Sequence, residues 1–215
     1  MKPPCELCGN KRHILTEAGW VPCECLRSSR YSRRLTEAGI PRYMESFTWR
    51  GWADKHKAGA KILPRIKEYF EDIVARNPVS RFRCLYGDAG SGKLTLALLF
   101  VKECVKRGLT ARVATLSEIV ADRFGDKGEL ISGLLNADIA VVRLGMEEHH
   151  AWNAPTLEKI HFARKMSEKP ILYTTRIGVA NWSSKYGSVM ERVFWEAVEG
   201  DVVVWDLSDG RVLVP

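Results

Sequence analysis

No stretch of the 215-residue chain approaches the ~18 consecutive apolar residues that a membrane-spanning helix needs. Internal repeats and low-complexity tracts are also missing, which excludes repeat arrays and long disordered tails. Met1-Lys2-Pro3-Pro4 runs straight into cysteines with no apolar leader stretch, so a cytoplasmic protein with no membrane contact is expected. Acidic residues are short: 26 Asp and Glu face 33 Lys and Arg, a formal charge of +7. That balance favours a nucleic-acid or acidic-protein partner over a purely small-molecule role, with a generic basic protein as the plain alternative. Beyond residue 25 only Cys84 and Cys104 remain, both in apolar surroundings. A secreted disulfide scaffold would spread its cysteines, so that class is excluded. The other four cysteines fall within the first 25 residues and read as a metal site in a reducing compartment.

What is present is an ordinary globular composition, 46% apolar and 27% charged. Three parts are expected: a Cys-rich module over 1–35, a connector with aromatic anchors over 36–56, and a core over 57–215. The stretch 57–77 has helical periodicity, with Ile62, Ile66, Tyr69, Phe70 and Ile73 on one side. From residue 82 onward strands alternate with helices. RFRCLYG, TARVAT, DIAVVRLG, PILYTTR, DVVVWDL and RVLVP read as strands, the last two joined by the Ser208-Asp209-Gly210 turn. The segments after residues 93, 116, 129, 154 and 188 read as helices. This alternation implies an α/β fold with a mostly parallel sheet flanked by helices.

Cys5-x2-Cys8 and Cys23-x-Cys25 are separated by 14 residues. Two close thiolate pairs on separate turns can close a tetrahedron around Zn2+, with His13 as a weaker substitute ligand. Some thirty residues cannot bury a core of their own, so the metal would hold this module together. Behind it, RSSRYSRR (27–34) places Arg27, Arg30 and Arg34 on one helical face. That face suits phosphate, an acidic partner surface or plain solvation.

GDAGSGKLT (87–95) meets the phosphate-loop signature through Gly87, Gly92 and Lys93, with Gly90, Ser91 and Thr95 completing the loop. A strand precedes it and a helix follows, as phosphate binding at a helix N-terminus requires. What hydrolysis adds is missing. The residue after the Lys should carry a hydroxyl for Mg2+, and Leu94 has none. Thr95 is turned about 100° further round the helix. In ADIAVVRLG, Val142 and Arg143 stand where an acidic strand end would support the ion. Glu147 and Glu148, or Asp206 at the end of VVVWD, are the remaining acids that could replace it. In YTTR, Thr174 or Thr175 could sense a terminal phosphate, while Arg176 takes a place suited to a neutral amide. Arg143 and Arg176 are then either stand-ins for the metal's charge or remnants of a dismantled site. His149-His150 beside Glu147-Glu148 face apart and make no joint site. Trp20, Trp49 and Trp52 read as anchors or as base-stacking platforms.

Taken in order, the cysteine head, AGIPRYMESFTW, LYGDAGSGKLTLA, ADIAVVRLG with Trp152 soon after, a helix carrying Arg164, ILYTTR and YGSVMERV resemble the AAA+ helicase loaders of the DnaC/DnaI type and the related IstB transposition ATPases. The resemblance spans nearly the whole chain. It implies a five-stranded parallel AAA+ sheet without a large C-terminal lid, ATP or ADP at the phosphate loop, and self-assembly. It implies a bacterial or phage-infected cell, where such loaders grip the hexameric replicative helicase and help place it on single-stranded DNA. Arg192 in MERV matches the family's sensor or intersubunit arginine. The departures at Leu94, Val142, Arg143 and Arg176 point to a loader or adaptor with impaired hydrolysis and no catalytic residue. The alternatives are an active ATPase of the loader or IstB type, and a loader-derived inhibitor of a host replication protein.

Overall fold

The structure is a computed structural model that describes residues 5–75, 82–125, 128–145, 152–178, 181–188, 202–208 and 210–213. Arg192 with its predicted helix from residue 189 onward, and Glu147, Glu148, His149 and His150, lie outside these residues.

Each strand expected after residue 82 is present: β3 (Phe82–Tyr86), β4 (Ala111–Thr115), β5 (Ile139–Arg143), β6 (Ile171–Thr175), β7 (Val202–Asp206) and β8 (Arg211–Leu213). They form one sheet in the order β4-β5-β6-β3-β7-β8. The first five are parallel, and β8 folds back antiparallel on β7. β3 therefore lies inside the sheet with β6 on one side and β7 on the other. From β3 the chain runs to β4 on one side, while from β6 it runs to β7 on the other, and such switch points are where α/β sheets place their ligands.

Helices cover both faces. One core layer holds Ile66, Tyr69, Phe70 and Ile73 of α4 (Leu63–Ala75) and Leu96 to Val101 of α5 (Lys93–Lys106). The other holds residues of α6 (Leu116–Arg123), α7 (Glu129–Asn136), α8 (Asn153–Met166) and α9 (Trp182–Tyr186). Burial on both sides explains why IAVV reads as a continuous apolar run. Ile139 and Val141 join the α5 layer, and Ala140 and Val142 join the opposite one. Side chains alternate along a strand, so Arg143 falls on the α5 side.

The N-terminal third is more structured than its sequence suggests. β1 (His13–Thr16) and β2 (Gly19–Pro22) make a hairpin in which Leu15 faces Trp20. Helix α1 (Glu24–Glu37) follows, and its far end belongs to the core: Leu35 and Ala38 are buried there. The Ala38 carbonyl accepts the Val113 N–H of β4 at 2.8 Å. Gly39 is locked by this approach, since a Cβ on it would meet the Val113 oxygen at 2.8 Å. Arg34 does not lie free for phosphate. Its guanidinium donates to the Gly108 and Leu109 carbonyls at 2.7 and 2.9 Å, capping the end of α5. The connector folds into a 3-10 turn (Arg42–Ser46) and helices α2 (Trp49–Lys55) and α3 (Lys57–Ala60). Lys102 of α5 holds the turn through the Met44, Glu45 and Phe47 carbonyls.

Arg164 of α8 is fully buried and wholly structural. It donates to the carbonyls of Leu134, Ala137, Asp138 and Pro170, tying the end of α7 to the starts of β5 and β6. Burial pushes its pKa down to about 10, so it stays charged. None of the described helices is long and apolar enough to cross a membrane.

Candidate phosphate site and metal centre

The candidate phosphate loop (87–95) leaves the carboxyl end of β3 and enters α5, so its amides sit at a helix N-terminus. Gly90 and Gly92 take left-handed conformations at φ +85° and +80°. Gly92 has a second constraint. A Cβ there would sit 2.5 Å from Trp52 Nε1 and 2.6 Å from His56 Nε2. Trp52 donates its indole N–H to the Gly92 carbonyl at 3.0 Å, and its ring lies 5.1 Å from that of His56. The connector tryptophan thus fixes the loop from beneath. Lys93 curls back on the loop, its ammonium donating to the Gly87 and Asp88 carbonyls at 2.6 Å each and to Ser91 Oγ at 3.3 Å.

Leu94 is half-buried and packs on the core, so the position that would hold a metal-binding hydroxyl is an apolar contact. Thr95 is half-buried one position further along α5. Val142 is fully buried on the opposite layer and takes no part in the site. Arg143 alone occupies the α5-side position at the end of β5, level with Thr174 of β6. Thr174, after Leu172 in the α5 layer, shares that side. Thr175 faces the other layer, and its hydroxyl oxygen accepts the Ile177 N–H at 3.0 Å. Arg176 is exposed just beyond β6 and donates through Nε to the Gly145 carbonyl at 3.2 Å. Burial lowers the Lys93 pKa; Asp88 acts against this, while Arg143 and Arg176 add to it.

Asp206, the late acid among the possible replacements, lies on a strand directly against β3, level with Tyr86. Trp205 and Leu207 enter the α5 layer, so Asp206 points to the other side. It accepts the Ser208 N–H at 2.9 Å, and Ser208 Oγ accepts the Asp88 N–H at 3.0 Å. This acid braces the phosphate loop from outside. Only the strand order, which sequence spacing does not encode, reveals it.

The sulfurs of Cys5, Cys8, Cys23 and Cys25 lie within 4.8 Å of one another. Cys5 and Cys23 are 3.8 Å apart, Cys8 and Cys25 3.4 Å. Four thiolates at the ~2.3 Å of zinc–sulfur bonds sit about 3.8 Å apart at the corners of a tetrahedron, so the set fits Zn2+. Cys5 and Cys8 flank a knuckle in which the Gly9 N–H reaches the Cys5 carbonyl. Cys23 caps α1 and Cys25 lies in its first turn. The Arg12 N–H donates to Cys8 Sγ at 3.3 Å. Burial pushes the Cys8 thiol up, but hydrogen bonds from Cys25 and Arg12 outweigh it and bring Cys8 to about 7. Cys25, bonded to Cys8 and partly desolvated, is pushed up to about 12. His13 is exposed on the hairpin and stays outside the cluster.

No protein-family model matches the chain, and no curated protein matches it in sequence. Solved structures do match in fold. The crystal structure of the DnaC helicase loader superposes with TM-score 0.52 at 18% identity, over 66% of this chain and 88% of that one. A primosome component from Streptococcus pyogenes serotype M3, described as putative, gives 0.57 at 18% identity, over 83% of this chain and 98% of that one. DnaA from Aquifex aeolicus, bound to AMPPCP, gives 0.56 at 15% identity, over 77% of this chain and 49% of that one. The fold is thus the α/β AAA+ type, five parallel strands flanked by helices.

Proposed function

We propose that this protein is an adaptor of the helicase-loader type, acting in DNA replication, with an AAA+ core that no longer carries out ordinary magnesium-dependent ATP hydrolysis. The observation that carries the loss of hydrolysis is Arg143, on the α5 side at the end of β5 where an acid would recruit the metal. Leu94 removes the other metal ligand. The fold shared with DnaC and a primosome component supports the replication role.

The head would grip the replicative helicase hexamer of a bacterial cell. Held together by zinc, it presents Leu7, Leu15 and Trp20, all about 70% exposed, with Leu15 and Trp20 paired across the hairpin. Exposed apolar clusters of this kind mark protein contacts. Single-stranded DNA would run along α1. There a cleft of about 1100 Å³ is lined by Arg12, Arg33 and Arg42 with the hydroxyls of Ser28, Ser29 and Ser32. Guanidiniums and hydroxyls are the usual partners of a phosphate backbone. Leu26 is the one apolar side chain there, so a peptide would find few sockets for its anchors. Across α1 a second cleft carries Tyr31, Phe47 and Trp49 for stacking, and Ser28 lines both.

The test is a loading assay with the replicative helicase of the host on circular single-stranded DNA, with phosphate release measured in parallel. Stimulated loading, with no magnesium-dependent turnover attributable to this chain, supports the proposal. Inhibited loading identifies a loader-derived inhibitor instead. Magnesium-dependent turnover identifies an active ATPase and overturns the reading of Leu94 and Arg143.

A further inference from the structure

We propose that the phosphate loop binds a nucleoside polyphosphate without a divalent cation, with Arg143 and Arg176 supplying the positive charge that a metal ion supplies in active sites of this fold. The inference rests on the reading that ordinary magnesium chemistry is lost, and adds what takes its place.

Three cations stand at the carboxyl ends of three neighbouring parallel strands, β3, β6 and β5. Lys93 is half-buried at the start of α5, and both Arg143 and Arg176 act on it electrostatically. Arg143 stands on the α5 side at the end of β5, and Arg176 just past the end of β6, the strand that lies beside β3. Asp88, exposed on the loop, is the carboxylate among the described residues that acts on Lys93. Among the described residues neither arginine forms a salt bridge. Like charges held together cost free energy unless an anion joins them.

The arginines of this protein that serve structure look different. Arg164 spends its donors on four backbone carbonyls, and Arg34 on two. Among the described residues Arg176 donates only through Nε, to Gly145, which steadies the guanidinium while its terminal nitrogens have no described partner. The amides of the glycine turn and the first turn of α5 add donors at the same place. A nucleic-acid backbone brings one charge per phosphate, spread along its length. Three cations at neighbouring strand ends match the compact charge of a polyphosphate chain better. A bound cation would be repelled by Arg143 and would find no hydroxyl at Leu94. In this site nucleotide is a ligand that orders the loop and the strand ends, not a substrate.

The experiment is calorimetric titration of the full chain with ATP at fixed ionic strength, with excess MgCl2 and with EDTA after the head has been loaded with zinc. The expected result is an affinity in EDTA within about threefold of that in magnesium. Arg143→Gln should weaken binding in EDTA roughly 10- to 100-fold, as loss of a charge-assisted hydrogen bond predicts. Arg176→Ala, at an exposed site, should weaken it severalfold with an unchanged melting temperature, which separates ligand loss from misfolding. Leu94→Thr combined with Arg143→Asp should make binding depend on magnesium. No binding in either buffer overturns the proposal. So does binding that EDTA abolishes, or an Arg143→Gln protein that binds like the parent. Co-elution with the helicase in nucleotide-free buffer is measured separately, so failure of nucleotide binding and failure of the adaptor role are read apart.

Discussion

His161 should make the fold acid-sensitive by an amount that can be worked out. It lies on α8 with 2% of its surface exposed, its ring stacked 4.2 Å from Phe82 and its Nδ1 3.0 Å from the Tyr173 hydroxyl. Burial, with Lys165 adding to it, pushes its pKa down to about 3. In the unfolded chain a histidine titrates near 6.5. Between these values the unfolded state binds a proton that the folded state refuses. The contribution is complete above pH ~6.5 and is lost as pH falls toward ~3, at up to about 1.4 kcal/mol per pH unit. At pH 4.5 the loss comes to about 3 kcal/mol, a large share of the 5–15 kcal/mol typical of a domain. Urea denaturation followed by circular dichroism at pH 7, 5.5 and 4.5 would measure it, on the parent and on His161→Gln. The variant should start less stable and then fall less steeply. Acid also strips metal from thiolates, but that effect is common to both proteins and cancels in the difference. Parallel pH profiles would refute the argument.

The cysteine cluster should bind one zinc per chain, with sulfur-only ligation near 2.3 Å by X-ray absorption; Cys8→Ala should release it and melt the hairpin while the sheet stays folded. Arg164→Met removes the Arg164 donor from the Leu134, Ala137 and Asp138 carbonyls, while Pro170 keeps the Ala140 N–H, and should cost about 3 kcal/mol, seen as a melting point roughly 6–12 °C lower. Arg12→Glu with Arg42→Glu should weaken single-stranded DNA binding and flatten its salt dependence, with ATP affinity unchanged. Retained DNA binding in that variant would move the strand away from α1.

Much of the core was legible because its elements are separated by punctuation and carry the right period. The apolar side of α4 and the six strands from residue 82 follow from helical spacing and side-chain alternation, which burial enforces directly. The hairpin between the cysteine pairs was not legible. Leu15 and Trp20 are exposed there, so no buried face imprints a pattern, and the thiol cluster rather than a core sets the pairing. The connector reads as a segment with aromatic anchors, and its helices are too short to show a period. Its anchors were visible all the same: Trp52 is buried against Gly92, Trp49 packs on the core, and Trp20 stays outside. At the candidate site, spacing picked out the glycine turn between β3 and α5 and placed Val142 and Arg143 at the end of β5. It could not tell which of Val142 and Arg143, or of Thr174 and Thr175, faces the loop. That depends on strand parity, fixed only once the two core layers are assigned. Nor could it place β7 beside β3, since neighbours in a sheet need not be neighbours in the chain.

The two rims of the sheet have a consequence for how copies of this protein can meet. On one rim β8 turns back along β7, and on the other the chain after α1 already uses the Val113 amide of β4. Strand-to-strand addition, the simplest way for sheet proteins to aggregate or to lengthen into filaments, is discouraged at both ends. A ring or spiral of such subunits would have to be assembled through side-chain surfaces. Those surfaces can be loosened by salt or a partner, so assembly would stay reversible.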